Sequence, residues 1–177
     1  MILQDGQSYL ELEVTEQLPL GSQRAGDTRF AVRVRMGGHE TRFSAESWAW
    51  VDVSALAGFA QDLRILENVR QGSTGILSAM SPDEFRMEIR STDHAGHMGV
   101  FGWLAHHCYC GVGGPHLSKV TFGIPFCPTE LPGLVREFDR LVAPFLASAA
   151  SNGGPATQPG DSEAADGRYP SARRSAV

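Results

Sequence analysis

Lysine is nearly missing from this chain: of fifteen basic residues fourteen are arginine, and Lys119 is the exception. Twenty acidic residues outweigh them and leave a formal charge of −5. A chain without clustered cations cannot displace counterions along a phosphate backbone, so nucleic acid is not an expected partner. An acidic domain is drawn instead to a basic one. Cysteine is scarce and odd in number, at Cys108, Cys110 and Cys127, which excludes a disulfide scaffold and suits a reducing compartment. No run approaches the roughly 18 apolar residues of a membrane span. Met1 to Leu10 has neither the cationic nor the apolar region of a secretory signal. The expected location is therefore cytoplasmic, away from membranes.

Catalytic signatures are missing too. Gly72-Ser-Thr-Gly75 lacks the spacing and the strand–turn–helix setting of a nucleophile elbow. Gly111-Val-Gly-Gly114 is followed by Pro115 rather than by the helix N-terminus a phosphate loop feeds. Cys108 follows His107 directly, and adjacent side chains do not face one another as a thiolate–imidazole pair must. No catalytic residue is assigned and no cofactor is called for.

What is present is a pattern of two periods. Leu10, Leu12 and Val14 alternate with acids, and Phe30, Val32, Val34 and Met36 alternate with Arg29, Arg33 and Arg35. Phe85, Met87 and Ile89 alternate with Glu84, Arg86, Glu88 and Arg90. Period two with one charged face belongs to antiparallel strands solvated on one side. Gly37-Gly38 marks a hairpin, with the next strand read as His39 to Phe43. Ser47-Trp48-Ala49-Trp50 reads as a core-packed entry to a first helix capped by Asp52 or Ser54. That helix carries Leu56, Phe59, Ala60, Leu63 and Leu66 at helical spacing and ends at Gly72. Thr129 opens a second, with a stripe from Leu131 to Phe145 that Pro144 limits. Strands are also read at Gly75–Met80, His97–Leu104 and Val120–Phe126, with Pro125 marking a sheet edge.

The expectation is one α+β domain over residues 1–147. It consists of a twisted, mostly antiparallel sheet of six to seven strands with two helices packed on one face. Residues 148–177, rich in Ala, Ser, Gly and Pro, read as a disordered tail. No internal repeat is visible in the sequence.

The order Tyr9-Leu-Glu-Leu-Glu-Val, Phe30-Ala-Val-Arg-Val, Phe59-Ala-Gln-Asp-Leu63, Phe85-Arg-Met-Glu-Ile and Pro128-Thr-Glu-Leu-Pro-Gly-Leu-Val-Arg-Glu-Phe138 resembles the bacterial immunity proteins of the wall-associated-protein toxin system, the WapI type. The resemblance runs roughly from Tyr9 to Val142 and rests on fold pattern. It implies a non-catalytic intracellular protein that neutralises a delivered toxin domain by occlusion. The negative charge points to a basic toxin domain as the protein partner. The family carries no catalytic motif to transfer.

Two constellations remain. Phe101 and Trp103 fall on a strand face that the neighbouring strands fill with charge. Aromatics framed by arginines, here Arg33, Arg35, Arg86 and Arg90, are the material of protein-interface hot spots. The plainer reading is that a loop or helix covers them. His106, Cys108, Cys110 and His116 are metal-ligand types, and an alternative function is a small metal-dependent hydrolase. Along an extended strand His106 and Cys110 would lie about 13 Å apart, too far to share zinc unless the segment curls. An uncharacterised structural module, including a homo-oligomer, is the third reading.

Overall fold

The computed structural model describes residues 1–38, 42–79, 83–108 and 116–152. Eight strands and two helices follow one another in order: β1 (Ile2–Asp5), β2 (Ser8–Gln17), β3 (Thr28–Gly37), β4 (Arg42–Val51), α1 (Val53–Val69), β5 (Ser73–Leu77), β6 (Phe85–Ser91), β7 (Met98–Cys108), β8 (His116–Phe126) and α2 (Leu131–Asn152). A single 3-10 turn, Pro128–Glu130, leads into α2. Each run of four strands forms its own antiparallel meander, in the orders β1-β2-β3-β4 and β5-β6-β7-β8. The chain thus writes the same plan twice, four strands and then a helix, although its sequence shows no repeat.

The α+β class and the antiparallel pairing hold, but the single sheet of six to seven strands does not: there are two sheets of four. Alternation fixes which face of a strand is buried and says nothing of which strand it pairs with. One eight-stranded sheet and two four-stranded ones therefore give the same pattern. The first strand was missed because Ile2-Leu-Gln-Asp5 is too short to show a period. Ser47 to Trp50 does lead into the first helix, since β4 ends at Val51 and α1 begins at Val53, but the two tryptophans stand on a strand. They lie within β4, paired with Ala31 and Arg29, and Trp48 is 57% exposed rather than core. Asp52 caps α1 as expected, accepting from the Ala55 N–H at 3.4 Å. The left-handed residue at the other end is Arg70, whose N–H donates to Leu66 O, and not Gly72. Pro144 lies inside α2, which runs on to Asn152. The expected tail lies, from residue 153 onward, outside the described residues.

The inward residues of all eight strands and both helices belong to one core cluster. Phe59 of α1 and Phe138 of α2 meet edge to face there, with centroids 4.8 Å apart. The sheets touch where β8 approaches β1, β2 and β3 and where β7 approaches β4. A backbone bond from Ala79 N to Trp50 O, 2.6 Å, also joins the segment after β5 to β4. Buried Asp27 ties the β2–β3 loop to the head of α1: it accepts from Val53 N at 3.1 Å and from Arg24 Nε at 2.6 Å. Among the described residues no helix is long and apolar enough to cross a membrane.

Truncating Phe138, which is fully buried, removes the edge-to-face contact between the two helices, which the Arg64–Asp139 ion pair also joins at the surface. Phe138→Ala is expected to cost about 3–5 kcal/mol, read as a lower urea midpoint at unchanged m-value.

Candidate functional site

The outer face of the second sheet is built from the register of β5 to β8. Inward residues Phe85, Met87 and Ile89 of β6 are fully buried, so period two turns Arg86, Glu88 and Arg90 outward. Pairing then sets three rows across the sheet. Leu77, Arg86, Trp103 and Thr121 form one; Gly75, Glu88, Phe101 and Gly123 the next; Ser73, Arg90, Gly99 and Pro125 the third.

Phe101 and Trp103 stand half-buried on this face. Phe101 is flanked by Gly99 on its own strand and Gly123 on β8. A β-carbon at Gly99 would come within 2.8 Å of the ring, and one at Gly123 within 3.0 Å. Glycine leaves the space that the ring occupies, and the ring in turn covers backbone a glycine strand would expose. The Arg90 guanidinium lies over the other side, 4.2 Å from the centroid. Trp103 is fixed through its indole N–H, which donates to Asp83 O at 3.2 Å. Arg86 sits 5.3 Å and the Lys119 ammonium 3.9 Å from the Trp103 ring centroid. Both aromatics are half-buried.

Glu88 stands between the two arginines. Arg86 Nη2 donates to Glu88 Oε2 at 3.1 Å, while Arg90 Nη1 is 3.9 Å from Oε1. Both guanidinium groups keep donors in hand, being 45% and 48% exposed. Two grooves open on either side of Glu88. One of about 440 Å³ runs past Ser73, Arg90 and Asp93; the other, about 460 Å³, runs past Gly75, Leu77 and Arg86. The turn that closes the first is pinned by the Asp93 carboxylate. Its Oδ1 accepts the N–H groups of Ala95 and His97 at 2.9 and 3.1 Å, and Oδ2 lies 2.5 Å from His97 Nδ1. These bonds, the His97 side chain first, hold the Asp93 carboxyl below the usual carboxylate range.

Arg86, Arg90, Phe101 and Trp103 are thus one constellation. Arg33 and Arg35 are not part of it: both lie on β3 of the first sheet. Arg33 is held there by three carboxylates, Glu13 at 2.9 Å, Glu46 at 3.0 Å and Glu11 at 3.3 Å. Their hydrogen bonds, Glu46 first, keep it firmly protonated. Lys119 belongs to the site but appears in sequence only as the cation nearest a glycine loop; its place over Trp103 needs the β7–β8 register. Glu88 and the two glycines were missed for the same reason. A fourth aromatic–cation pair, Arg29 over Trp48 at 5.0 Å, stands on the first sheet.

The metal-ligand candidates fall at the far end of the β7–β8 hairpin. His106 is exposed and pairs with Ser118, and Cys108 pairs across the strands with His116. Cys110 lies outside the described residues. Among the described residues no group of three or more His, Cys, Asp or Glu is placed to hold a metal ion. Cys127, exposed before α2, has its thiol pushed down by the Thr129 hydroxyl at 3.0 Å and then by the Thr129 N–H. A further groove of about 460 Å³ lies between the β1–β2 hairpin and α2, lined by Ile2, Val14 and Leu141 with Glu11, Glu13 and Glu137.

Comparison with protein-family models, with characterised proteins and with solved structures gives no match.

A carboxylate with a depressed folded pKa stabilises the turn at and above the ordinary carboxylate pKa and ceases to do so as the pH falls through the depressed value. Acidification through the depressed value should lower the hydrogen-exchange protection of the Ala95 and His97 amides, measured against the intrinsic rate at the same pH, ahead of the β7 core. Asp93→Ala should show the low protection already at neutral pH, a difference that amide exchange NMR reads directly.

Proposed function

We propose that this chain is a non-catalytic binding protein of the immunity type, one that neutralises a toxin domain by covering it, and that it docks through the outer face of the second sheet. The observation that carries the reading is the pair Phe101 and Trp103, half-buried on a half-open sheet face, the first beneath Arg90 and the second beneath Arg86 and Lys119. Large aromatics with arginine are the residues that dominate interface energetics. Rings already fixed by Asp83 O and by Arg90 lose little rotamer freedom on docking, which favours affinity. The fold pattern that resembles immunity proteins, and the lack of a motif for chemistry, support the same class.

Charge refines the expected partner. The net charge of −5 steers a basic domain toward this chain at long range. At contact, however, Arg86, Arg90 and Lys119 face outward against Glu84 and Glu88, so the docked surface is complementary if it supplies carboxylates. A basic toxin domain with an acidic contact segment satisfies both.

A metal-dependent hydrolase is the second reading, favoured by the register that sets Cys108 opposite His116. Protein purified without chelator and carrying one zinc per chain would support it.

The test of the first reading is affinity capture from the native host by tagged full-length protein, run beside Trp103→Ala and Phe101→Ala. Wild type should retain a stoichiometric partner bearing a toxin domain. Each variant should bind it at least about 1 kcal/mol more weakly while far-UV circular dichroism stays the same. Undiminished affinity in both variants removes the face from the proposal, and recovery of only a second copy of the chain moves the reading to a homo-oligomer.

A further inference from the structure

We infer that the partner engages this face with an extended acidic segment, added as a strand beside β5, whose carboxylates four residues apart pair with Arg90 and Arg86. The inference rests on the protein-binding reading above and concerns what the partner presents.

Among the described residues β5 is a terminal strand, hydrogen-bonded to β6 alone. A free strand edge is a template for another chain, and proteins guard such edges with charge, lysine or proline. The edge strand at the other side of the sheet, β8, carries both Lys119 and Pro125. Ser73-Thr-Gly-Ile-Leu77 of β5 carries neither, nor any charge of its own; the charge nearest it from α1 is Asp62, whose carboxylate accepts from Thr74 Oγ1 at 3.5 Å on the inner side of the strand. Its outward side chains are small at Ser73 and absent at Gly75, and this opens the two grooves on either side of Glu88.

The arginines stand one strand further in. Arg90 pairs with Ser73 and Arg86 with Leu77, so the two are separated by four residues, about 13 Å along the strand. Each guanidinium lies over an aromatic ring. Both rings belong to β7, on the side of β6 away from β5, and a cation–ring contact does not consume hydrogen-bond donors. A strand added to β5 lies about 9.6 Å from β6, two strand spacings, so each arginine meets a glutamate of that strand by swinging from its ring across β5. Its residues i and i+4 stand in the rows of Arg90 and Arg86, and residue i+2 stands in the row of Gly75 and Glu88. Glu88 opposes an acid there, so the recognised pattern is acid, polar or apolar, acid at alternate positions. The pattern reads the same in both chain directions.

Phosphates along a single-stranded nucleic acid share the oxyanion chemistry, but Glu88 and the net charge of −5 oppose a continuous polyanion where they accept spaced carboxylates.

The probes are synthetic Val/Thr-rich peptides in extended form: one with Glu at i and i+4 around a central Ser, one with Gln at both places, one with Glu at i and i+2, and oligothymidylate beside them. Binding to isotopically labelled full-length protein is followed by amide NMR. The i, i+4 peptide should shift the Ser73 to Leu77 amides and bind roughly tenfold more tightly than the other two peptides. Arg90→Gln should abolish that preference, and Glu88→Gln should relax the penalty on an acid at i+2. Equal binding of the three peptides, no binding of any at millimolar concentration, or shifts remote from β5 would overturn the inference, as would oligothymidylate binding with the same arginine dependence. The captured partner separates the two levels. Sensitivity to Trp103→Ala with indifference to Arg86→Gln/Arg90→Gln keeps the face and removes the strand, whereas indifference to all of them removes the face.

Discussion

Phe59 and Phe138 meet edge to face at the point where the two halves of the molecule become one. Each four-stranded meander can bury one side only, and each helix has one apolar stripe. The inward apolar surface of each half is covered in part by the other, since the inward residues of both meanders and both helices fall in one cluster. Packing α1 on α2 closes that surface and brings Leu10, Val32, Ile89, Val100 and Ile124 into one cluster with the two rings. The outer faces of the sheets are left to water and to whatever binds there. Their chemistry is therefore free of the demands of the core, which explains how one sheet comes to hold Arg33 among three carboxylates and the other to share a single carboxylate between Arg86 and Arg90.

The contrast between the faces is physical rather than compositional. Both carry arginines and glutamates in alternation. On β3, Arg33 is surrounded by three carboxylates from β2 and β4. On β6, one glutamate serves two arginines, and the strand beyond it supplies aromatic rings instead of acids. Stacking over a ring attracts a cation without occupying its hydrogen-bond donors. The same residue type is thus satisfied in the first place and available in the second.

How far this could be read from sequence depends on which residues are asked about. The alternation of Phe30 to Met36 and of Phe85 to Ile89 is legible because one face of each strand is solvated, and the outward parity of Phe101 and Trp103 is legible beside it. Trp48 and Trp50 misled because tryptophan's size argues for burial, yet β4 is a sheet edge where the row holds only Ala31 and Arg29 as neighbours. The division into two sheets is not written in any strand, since period two names a face and not a partner. Lys119 over Trp103, and Gly99 and Gly123 beside Phe101, needed the β7–β8 register. For the same reason Arg33 and Arg35 were grouped with Arg86 and Arg90 although they lie on another sheet.

The doubled plan has a consequence for the order in which the molecule can be completed. Synthesis proceeds from the first meander to α2, which supplies Leu131, Leu134, Val135, Phe138 and Val142 to the shared core. Until that helix leaves the ribosome, Phe59 has no ring to meet and the inward side of both sheets lacks its cover. The contacts of β1 with β8 likewise wait for nearly the whole core to be made. The core therefore closes late in the order of the chain, and slowly for its size, as sheets joined by distant pairings do. In that interval the inward faces of both meanders and the edge of β5 are open together, the kind of surface through which partly folded chains associate.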